Sequence, residues 1–308
     1  YTNILKKIHP EIVNAAIYRT IIEVNKGYTF EDLNSHILSI RNLILLHPKQ
    51  DHLLLESITI LTDRGFLDSH DPGILIKFAE SIREQQLKER AISSIVIKIA
   101  KIGVKNKNRD FLQRAVGLTC EIDGQISRSA ALSSIIDDAS TLAAQQGDLD
   151  LLLRMRVWSD SLLEKKLVAY AMANIIDGMI KYASDRQSSD ALEAACRIAD
   201  DIDDPSLKVQ LFERIAECFV KIGCMAINKC SELSTADDYI LQFLPFERGL
   251  EIIKKHINSP QISLKIAGII DIILSYSRSY RNQEFIIPLA MFAVEIENPY
   301  ERDAMMSR

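Results

Sequence analysis

The stretch AISSIV at residues 91–96 recurs forty residues later as ALSSII at 131–136, and again as AMANII at 171–176. A fourth copy, LFERIA, stands at residues 211–216. The first, second, fifth and sixth places are apolar in all four copies, and further apolar columns with the same offset lie on either side. Self-similarity at a fixed offset of this length is typical of tandem-repeat proteins. We therefore predict four regular units over residues 71–230.

Each unit is predicted to contain two helices. In the fourth unit, apolar residues recur three and four positions apart over residues 192–202 and again over residues 207–222. This spacing places them on one face of a helix. The polar turn between the two helices contains Asp204 and Pro205, which suit the N-cap and the first position of the second helix. Gly223 is predicted to end that helix in a left-handed conformation.

Weaker copies of the same turn predict more units beyond the regular ones. The turn IDDP at residues 202–205 is resembled by INSP at 257–260 and IENP at 296–299. The offset from the first to the second of these turns implies about fifteen extra residues. We predict a single helical-repeat domain over residues 1–308, with an irregular insert at about 224–246 and C-terminal units at about 246–308.

An amphipathic hairpin of this size cannot bury its apolar stripe alone, so it is expected to stack on its neighbours. The predicted fold is all-α, a right-handed α-α superhelix (a solenoid) of about seven helical hairpins with a period of 38–40 residues. The pattern resembles the broad tetratricopeptide-like and HEAT-like helical-repeat class over nearly the whole chain, although the tetratricopeptide consensus itself is not reproduced.

Composition and charge bear on compartment and partners. A net charge of -5 and an isoelectric point near 5.8 disfavour a protein whose main task is to grip phosphate backbones. No apolar run of about 18 residues occurs, so no transmembrane helix is expected. An odd number of cysteines at irregular spacing predicts reduced, packed thiols in a cytoplasmic protein. These cysteines are Cys120, Cys196, Cys218, Cys224 and Cys230.

The familiar catalytic and cofactor motifs are absent from the sequence. It contains no glycine-rich nucleotide loop, no zinc-protease motif and no serine-hydrolase elbow. His47, His52 and His70 flank one predicted hairpin, but their spacing is unlike that of zinc ligands, and we interpret them as residues at helix ends. We predict no catalytic residue, no cofactor and no metal, and we do not expect an enzyme.

Carboxylates recur in two columns of the repeat. Equivalent positions in adjacent units lie about 10 Å apart, so these carboxylates would repel each other mildly. Lysine or arginine side chains of a partner would relieve that repulsion, whereas the alternative is that these positions are simply solvated. The predicted partner-binding residues are Glu80, Asp160 and Asp200 on the first helices and Asp137, Asp177 and Glu217 on the second helices.

The predicted function is a protein-protein interaction scaffold that binds a protein or peptide, of basic character, on a curved helical-repeat surface. A second hypothesis is a helical-repeat enzyme or regulatory subunit with a site near the insert at 224–246. A third is an RNA-binding repeat protein, for which the looser basic column of Lys88, Arg128 and Lys208 is the main feature. The end units carry apolar residues, so we expect either further chain or, through self-association, another subunit to cover them.

Overall fold

A computed structural model gives the structure of the chain. It describes residues 49–63, 65–68, 71–229, 243–256, 259–280 and 283–296, together with residues 11, 12, 15, 19, 38, 41, 42, 44 and 45. Over these residues the regular elements are helices, and no strand occurs. None of the helices in this part of the chain combines the length and the apolar character needed to cross a membrane.

Short and long α-helices alternate along most of the described chain. The α-helices are α1 Gln50–Asp63, α2 Gly73–Glu80, α3 Gln85–Lys105, α4 Arg109–Leu118, α5 Gln125–Gln146, α6 Leu149–Ser159, α7 Lys165–Arg186, α8 Ser189–Asp200, α9 Pro205–Lys229, α10 Leu244–His256, α11 Ser259–Tyr280 and α12 Ile286–Ala293. Short 3₁₀-helices cover Phe66–Asp68, Thr119–Glu121 and Gln283–Phe285. From α2 to α11, each even-numbered helix is the first of a pair and the odd-numbered helix after it is the second.

The helix pairs follow the period of the sequence. The second helices α3, α5, α7 and α9 begin at residues 85, 125, 165 and 205, so each starts forty residues after the one before it. The next pair departs from this spacing, because α10 begins only at Leu244 and α11 only at Ser259. The predicted all-α helical-repeat fold class is confirmed.

The apolar columns of the repeat form the interior. Ile95, Ile135, Ile175 and Ile215 occupy one column on α3, α5, α7 and α9, and each has 0% of its surface exposed. Burying one such side chain stabilises the fold by about 1.5–3 kcal/mol. Because the same positions are buried in every regular unit, the sequence period and the packing period coincide.

The turn before α9 has the predicted cap. Asp204 Oδ1 accepts hydrogen bonds from the backbone N–H groups of Ser206, at 2.9 Å, and Leu207, at 3.1 Å. Pro205 is the first residue of the helix, where its missing N–H costs nothing. A local side chain therefore satisfies the free donors at the start of this helix.

Gly223 does not end its helix, so that prediction is wrong. Helix α9 continues through Gly223 to Lys229. A Cβ atom at this position would lie 2.5 Å from Cε2 of Phe246 on α10. The absence of a side chain therefore serves the close approach of an aromatic ring, and the backbone stays helical.

In the preceding pairs, the start of a second helix is capped from the unit before it. Asp51 on α1 accepts a hydrogen bond from the backbone N–H of Glu84, immediately before α3, at 3.0 Å. Ser129 on α5 accepts one from the backbone N–H of Leu163, two residues before α7, at 2.9 Å. The first contact satisfies the donor next to a helix N-terminus and the second a donor in the turn before a helix, and both join consecutive units.

Glu89 on α3 makes the equivalent contact with the start of α5. Its carboxylate accepts hydrogen bonds from Gln85 Nε2 and Ser127 Oγ, each at 2.9 Å, and from the backbone N–H of Gly124. A Cβ atom at Gly124 would overlap this carboxylate. The hydrogen bonds from Gln85 and Ser127 hold the pKa of Glu89 below its ordinary value.

The chain divides into two compact units. Compact unit 1 comprises Tyr1–Leu142 and Ser161–Leu167, and compact unit 2 comprises Ala143–Asp160 and Val168–Arg308. The first holds α1 to α4 and most of α5, whereas the second holds α6, most of α7 and α8 to α12. The single domain over residues 1–308 stays a prediction, and much of the predicted insert at 224–246 lies outside the described residues.

Candidate partner-binding groove

A groove of about 570 Å³ lies in compact unit 2 between the first helices α8 and α10. It is found where the helix pairs depart from their regular spacing. Its lining comes from three helices, which contribute Ser189 and Glu193 (α8), Phe219 (α9), and Leu244, Pro245, Glu247, Arg248 and Glu251 (α10).

One part of the groove is apolar. Phe219 is 1% exposed and Pro245 is buried, whereas Leu244 has 46% of its surface open to solvent. Leu244 and Pro245 begin α10, where the first turn of a helix tolerates proline. The start of α10 thus holds a large aliphatic side chain at the edge of the groove, beside a buried ring.

The polar part of the groove is organised around Arg248. Its Nε and Nη2 donate hydrogen bonds to the two carboxylate oxygens of Glu193, at 2.7 and 2.9 Å, and its Nη1 donates to Glu251 Oε2 at 2.6 Å. The hydrogen bonds to Glu193 are the main reason that the pKa of Arg248 lies above its ordinary value. The planar guanidinium suits two-pronged binding to a carboxylate, which fixes both side chains.

The groove carries more negative than positive charge. Three carboxylates, those of Glu193, Glu247 and Glu251, face one guanidinium, that of Arg248. Glu247 is exposed, and no hydrogen bond or ion pair joins its side chain to any residue that the structure describes. Its place in the first turn of α10 is favourable, because the N-terminal end of a helix stabilises negative charge.

The first predicted acidic column lies at the C-terminal ends of first helices. Glu80 and Asp200 are the last residues of α2 and α8, and Asp160 follows the last residue of α6. Asp160 forms an ion pair with Arg156 on α6. Lys208 lies 3.9 Å from the Asp200 carboxylate, and its Nζ donates to the Asp200 backbone carbonyl at 2.6 Å. Basic residues of the chain thus offset two of these three charges.

The second predicted column lies on the second helices. Asp137 on α5 is exposed, whereas Asp177 on α7 and Glu217 on α9 are half-buried. Arg214 on α9 pairs with Asp177 at 2.5 Å and joins consecutive second helices. None of the six predicted carboxylates is among the described residues that line the groove between α8 and α10.

The basic column that bears on RNA binding lies near the start of the second helices α3, α5 and α9. Arg128 donates from Nε and Nη2 to the backbone carbonyl of Ile122, at 2.9 and 2.7 Å, and Lys208 makes the contact with Asp200 given above. Lys88 lies 3.9 Å from Asp123. Arg128 therefore satisfies a carbonyl group of the turn before α5, and Lys208 satisfies one at the end of α8, where basic side chains often bind free carbonyl groups.

Three of the four cysteine side chains that the structure describes are buried. Burial raises the pKa of Cys196 and Cys224 to about 12 and that of Cys218 to about 11. Thiolates are the nucleophilic form, so these three side chains are poor nucleophiles near neutral pH. Cys120 is exposed, and Cys230 lies outside the described residues.

Of the three histidines interpreted as residues at helix ends, His47 and His70 lie outside the described residues and His52 is exposed. His256 ends α10, and its ring stacks on Phe212 with centroids 3.6 Å apart and planes 12° apart. Burial lowers its pKa. In the part of the chain that the structure describes, no three histidine, cysteine or acidic residues are grouped in a way that suits a metal ion.

The reasoning from sequence missed Glu193, Arg248 and Glu251. A signal for the first pair was present, because Glu193 and Arg248 are separated by the same offset as Pro205 and Pro260. Opposite charges at equivalent positions of consecutive units are a pattern that predicts an ion pair between neighbouring first helices.

Comparisons with known proteins give no family. No protein-family model and no curated protein sequence matches the chain. Among solved structures, the chain is similar to a circular tandem repeat protein with a novel repeat topology, at 10% identity and a TM-score of 0.36, over 96% of this chain and 77% of that one. It is also similar to Ton1535 from Thermococcus onnurineus NA1, at 14% identity and a TM-score of 0.26, over 95% of this chain and 98% of that one.

The class of the chain follows from its own helices and buried columns. The second helices of the regular units start at a constant interval of forty residues, and equivalent apolar positions are buried in each of these units. The chain is an all-α helical-repeat protein.

Proposed function

We propose that this protein is a protein-interaction scaffold and that its groove between α8 and α10 binds a peptide segment of a partner. The observation that carries the proposal is the exposed Leu244, placed beside the buried Phe219 in a concave surface of about 570 Å³. This volume lies in the usual range for ligand pockets, about 300–1,000 Å³.

The aliphatic side chain of Leu244, at the edge of the groove, offers apolar surface for a partner to cover. Covering the exposed part of Leu244 with an apolar partner side chain removes that surface from water, and full burial of a leucine contributes about 1.5–3 kcal/mol. The fixed Glu193–Arg248 pair keeps the groove in shape before the partner arrives, which reduces the ordering cost of binding.

Other predicted partner contacts stay part of the proposal. Glu80, Asp137 and Glu217 are the members of the two acidic columns for which the structure gives no basic partner among the described residues. They would extend the contact to a basic partner beyond the groove. A cytoplasmic location, in which thiols stay reduced, fits this proposal.

Selection from a random heptapeptide library displayed on phage tests the proposal, with affinities measured by fluorescence anisotropy on labelled synthetic peptides. The variant Leu244→Glu places a charge in the apolar part of the groove, and we expect it to weaken binding by about tenfold or more. Glutamate at the start of a helix is favourable, so the variant is expected to fold.

The matched control is Leu264→Glu, which changes another exposed leucine in the same compact unit, one that is 72% exposed and does not line the groove. This control is expected to bind the selected peptides like the unmodified protein. Equal affinities of the Leu244→Glu variant and the unmodified protein at high salt, where the added charge is screened, would show that the groove is not the binding site.

A further inference from the structure

We infer that the segment bound by the groove carries an arginine or lysine two positions from a large aliphatic residue. This inference rests on the proposed function and adds the chemistry of the partner.

Helix α10 contributes two carboxylates to the groove. Glu247 and Glu251 are four residues apart, so their side chains lie on the same face of the helix. Both are exposed, and like charges at this spacing destabilise a helix, although Arg248 offsets part of the Glu251 charge. A cation placed between them removes that repulsion.

Arg248 leaves the position between Glu247 and Glu251 open for another cation. Two of its nitrogens are committed to Glu193, and its third contacts only Oε2 of Glu251. The Glu247 carboxylate accepts no hydrogen bond from any described residue. The groove therefore holds acceptors for a second cation, and Arg248 shows that Glu251 already accepts a guanidinium.

The distance between Leu244 and the two carboxylates sets the spacing between the aliphatic and the basic residue of the bound segment. Leu244 precedes Glu247 by three residues and Glu251 by seven, which corresponds to about 4.5 and 10.5 Å along the helix axis. In an extended peptide, residues i and i+2 point to the same side and lie about 6.6 Å apart. A basic residue two positions from an aliphatic one thus reaches the carboxylate pair while the aliphatic side chain covers Leu244.

The negative balance of the groove also selects against other occupants. A phosphate backbone would meet three carboxylates and one guanidinium, which opposes binding of nucleic acid. An acidic peptide meets the same barrier. A basic segment gains from both the charge and the exposed leucine.

The experiment uses the peptides selected above and a matched synthetic analogue. Each arginine in the tightest peptide is replaced by citrulline, which keeps the shape and removes the charge. We expect the citrulline peptide to bind about fivefold more weakly at low salt. In the double variant Glu247→Gln/Glu251→Gln, this difference between the two peptides is expected to disappear.

The control variant is Asp137→Asn/Glu217→Gln, which removes the same number of charges from the second acidic column. It is expected to keep the difference between the arginine and citrulline peptides. Loss of the difference in this control, with retention in the groove variant, would move the basic contact to the column and overturn the inference.

The remaining outcomes separate this inference from the proposed function. Selected peptides that lose affinity in Leu244→Glu but contain no basic residue would contradict the inference and leave the proposed function in place. Selection without enrichment, or peptides indifferent to Leu244→Glu, would contradict both.

Two other results would also overturn the inference. One is a dimer, seen in sedimentation, that Leu244→Glu dissociates. The other is a tenfold gain in peptide affinity when residues 231–241 are replaced by glycine and serine.

Discussion

Arg248 donates hydrogen bonds from Nε and Nη2 to the two carboxylate oxygens of Glu193, at 2.7 and 2.9 Å. Glu193 on α8 and Arg248 on α10 occupy equivalent places in their helices. The side chain of Glu193 is 38% exposed and that of Arg248 is 35% exposed. The pair therefore joins the first helices of consecutive units at the point where the chain between them is longest among the helix pairs described. It also forms one wall of the proposed groove.

The first prediction concerns the strength of this pair. In a double-mutant cycle with Glu193→Gln and Arg248→Met, we expect a coupling free energy of about 1 kcal/mol, because the geometry is two-pronged but solvent still screens the charges. The exposed pair Asp150 and Arg154 on α6 serves as the control, with an expected coupling of about 0.3 kcal/mol. Urea unfolding measures both values. Equal couplings would mean that the groove pair does not fix the two helices.

The second prediction concerns glycine at two positions of long helices. Gly223→Ala is expected to lower the free energy of unfolding by about 1–2 kcal/mol, because a Cβ atom there would press on the Phe246 ring. Gly268→Ala on α11 has open space around the new Cβ, so we expect a gain of about 0.5–1 kcal/mol from helix propensity. Thermal and urea unfolding measure both. A stabilised Gly223→Ala variant would refute the packing argument.

The third prediction concerns pH and the cap that Glu89 provides. The pKa of Glu89 is lowered in the folded chain, so its carboxylate stabilises the fold above its ordinary pKa near 4.5, and this stability is lost as the pH falls through the lowered value. Glu89→Gln is expected to cost about 1 kcal/mol at pH 7, because it replaces a charged acceptor by a neutral one.

At a pH below the lowered pKa, the unmodified protein and Glu89→Gln are expected to have similar free energies of unfolding in urea. Glu121→Gln is the control, because Glu121 is exposed, and it should stay within about 0.5 kcal/mol of the unmodified protein at both pH values. A cost of Glu89→Gln that is the same at neutral and acidic pH would show that the carboxylate charge does not act in the cap.

The fourth prediction concerns the thiols. In the native protein at pH 8, iodoacetamide is expected to label Cys120 rapidly, and to label Cys196, Cys218 and Cys224 only after unfolding, because burial keeps these three protonated. Peptide mapping by mass spectrometry assigns each label to its residue. Rapid labelling of Cys196 in the folded chain would contradict its buried position on α8.

Much of the fold was predictable because burial repeats with the sequence. The isoleucine column that contains Ile95 and Ile135 is buried as the period implied, and Asp204 caps α9 as its turn implied. Gly223 was misinterpreted, since a glycine between two helical stretches predicts a helix end unless the ring that packs against it is known. That ring belongs to Phe246, on a helix whose approach the sequence does not show.

The candidate site was harder to predict, because its contacts join residues that are distant in sequence. The columns of carboxylates were visible, but not the basic side chains that face them, such as Arg214 against Asp177. The groove depends on how α10 lies beside α8 after a longer connection, and residue types alone do not determine that arrangement. The offset between Glu193 and Arg248, which matches that of the two proline turns, was the part of the site within reach of sequence comparison.

The caps between units have a consequence for the length of the array. Residues 85–124 form one whole period, and their excision would join Glu84 directly to Gln125. The Asp51 carboxylate and the Glu84 amide that it binds both remain in the shortened chain, and a second helix still begins at the next residue. An array shortened by one period at this point therefore keeps the hydrogen bond that links its consecutive units there.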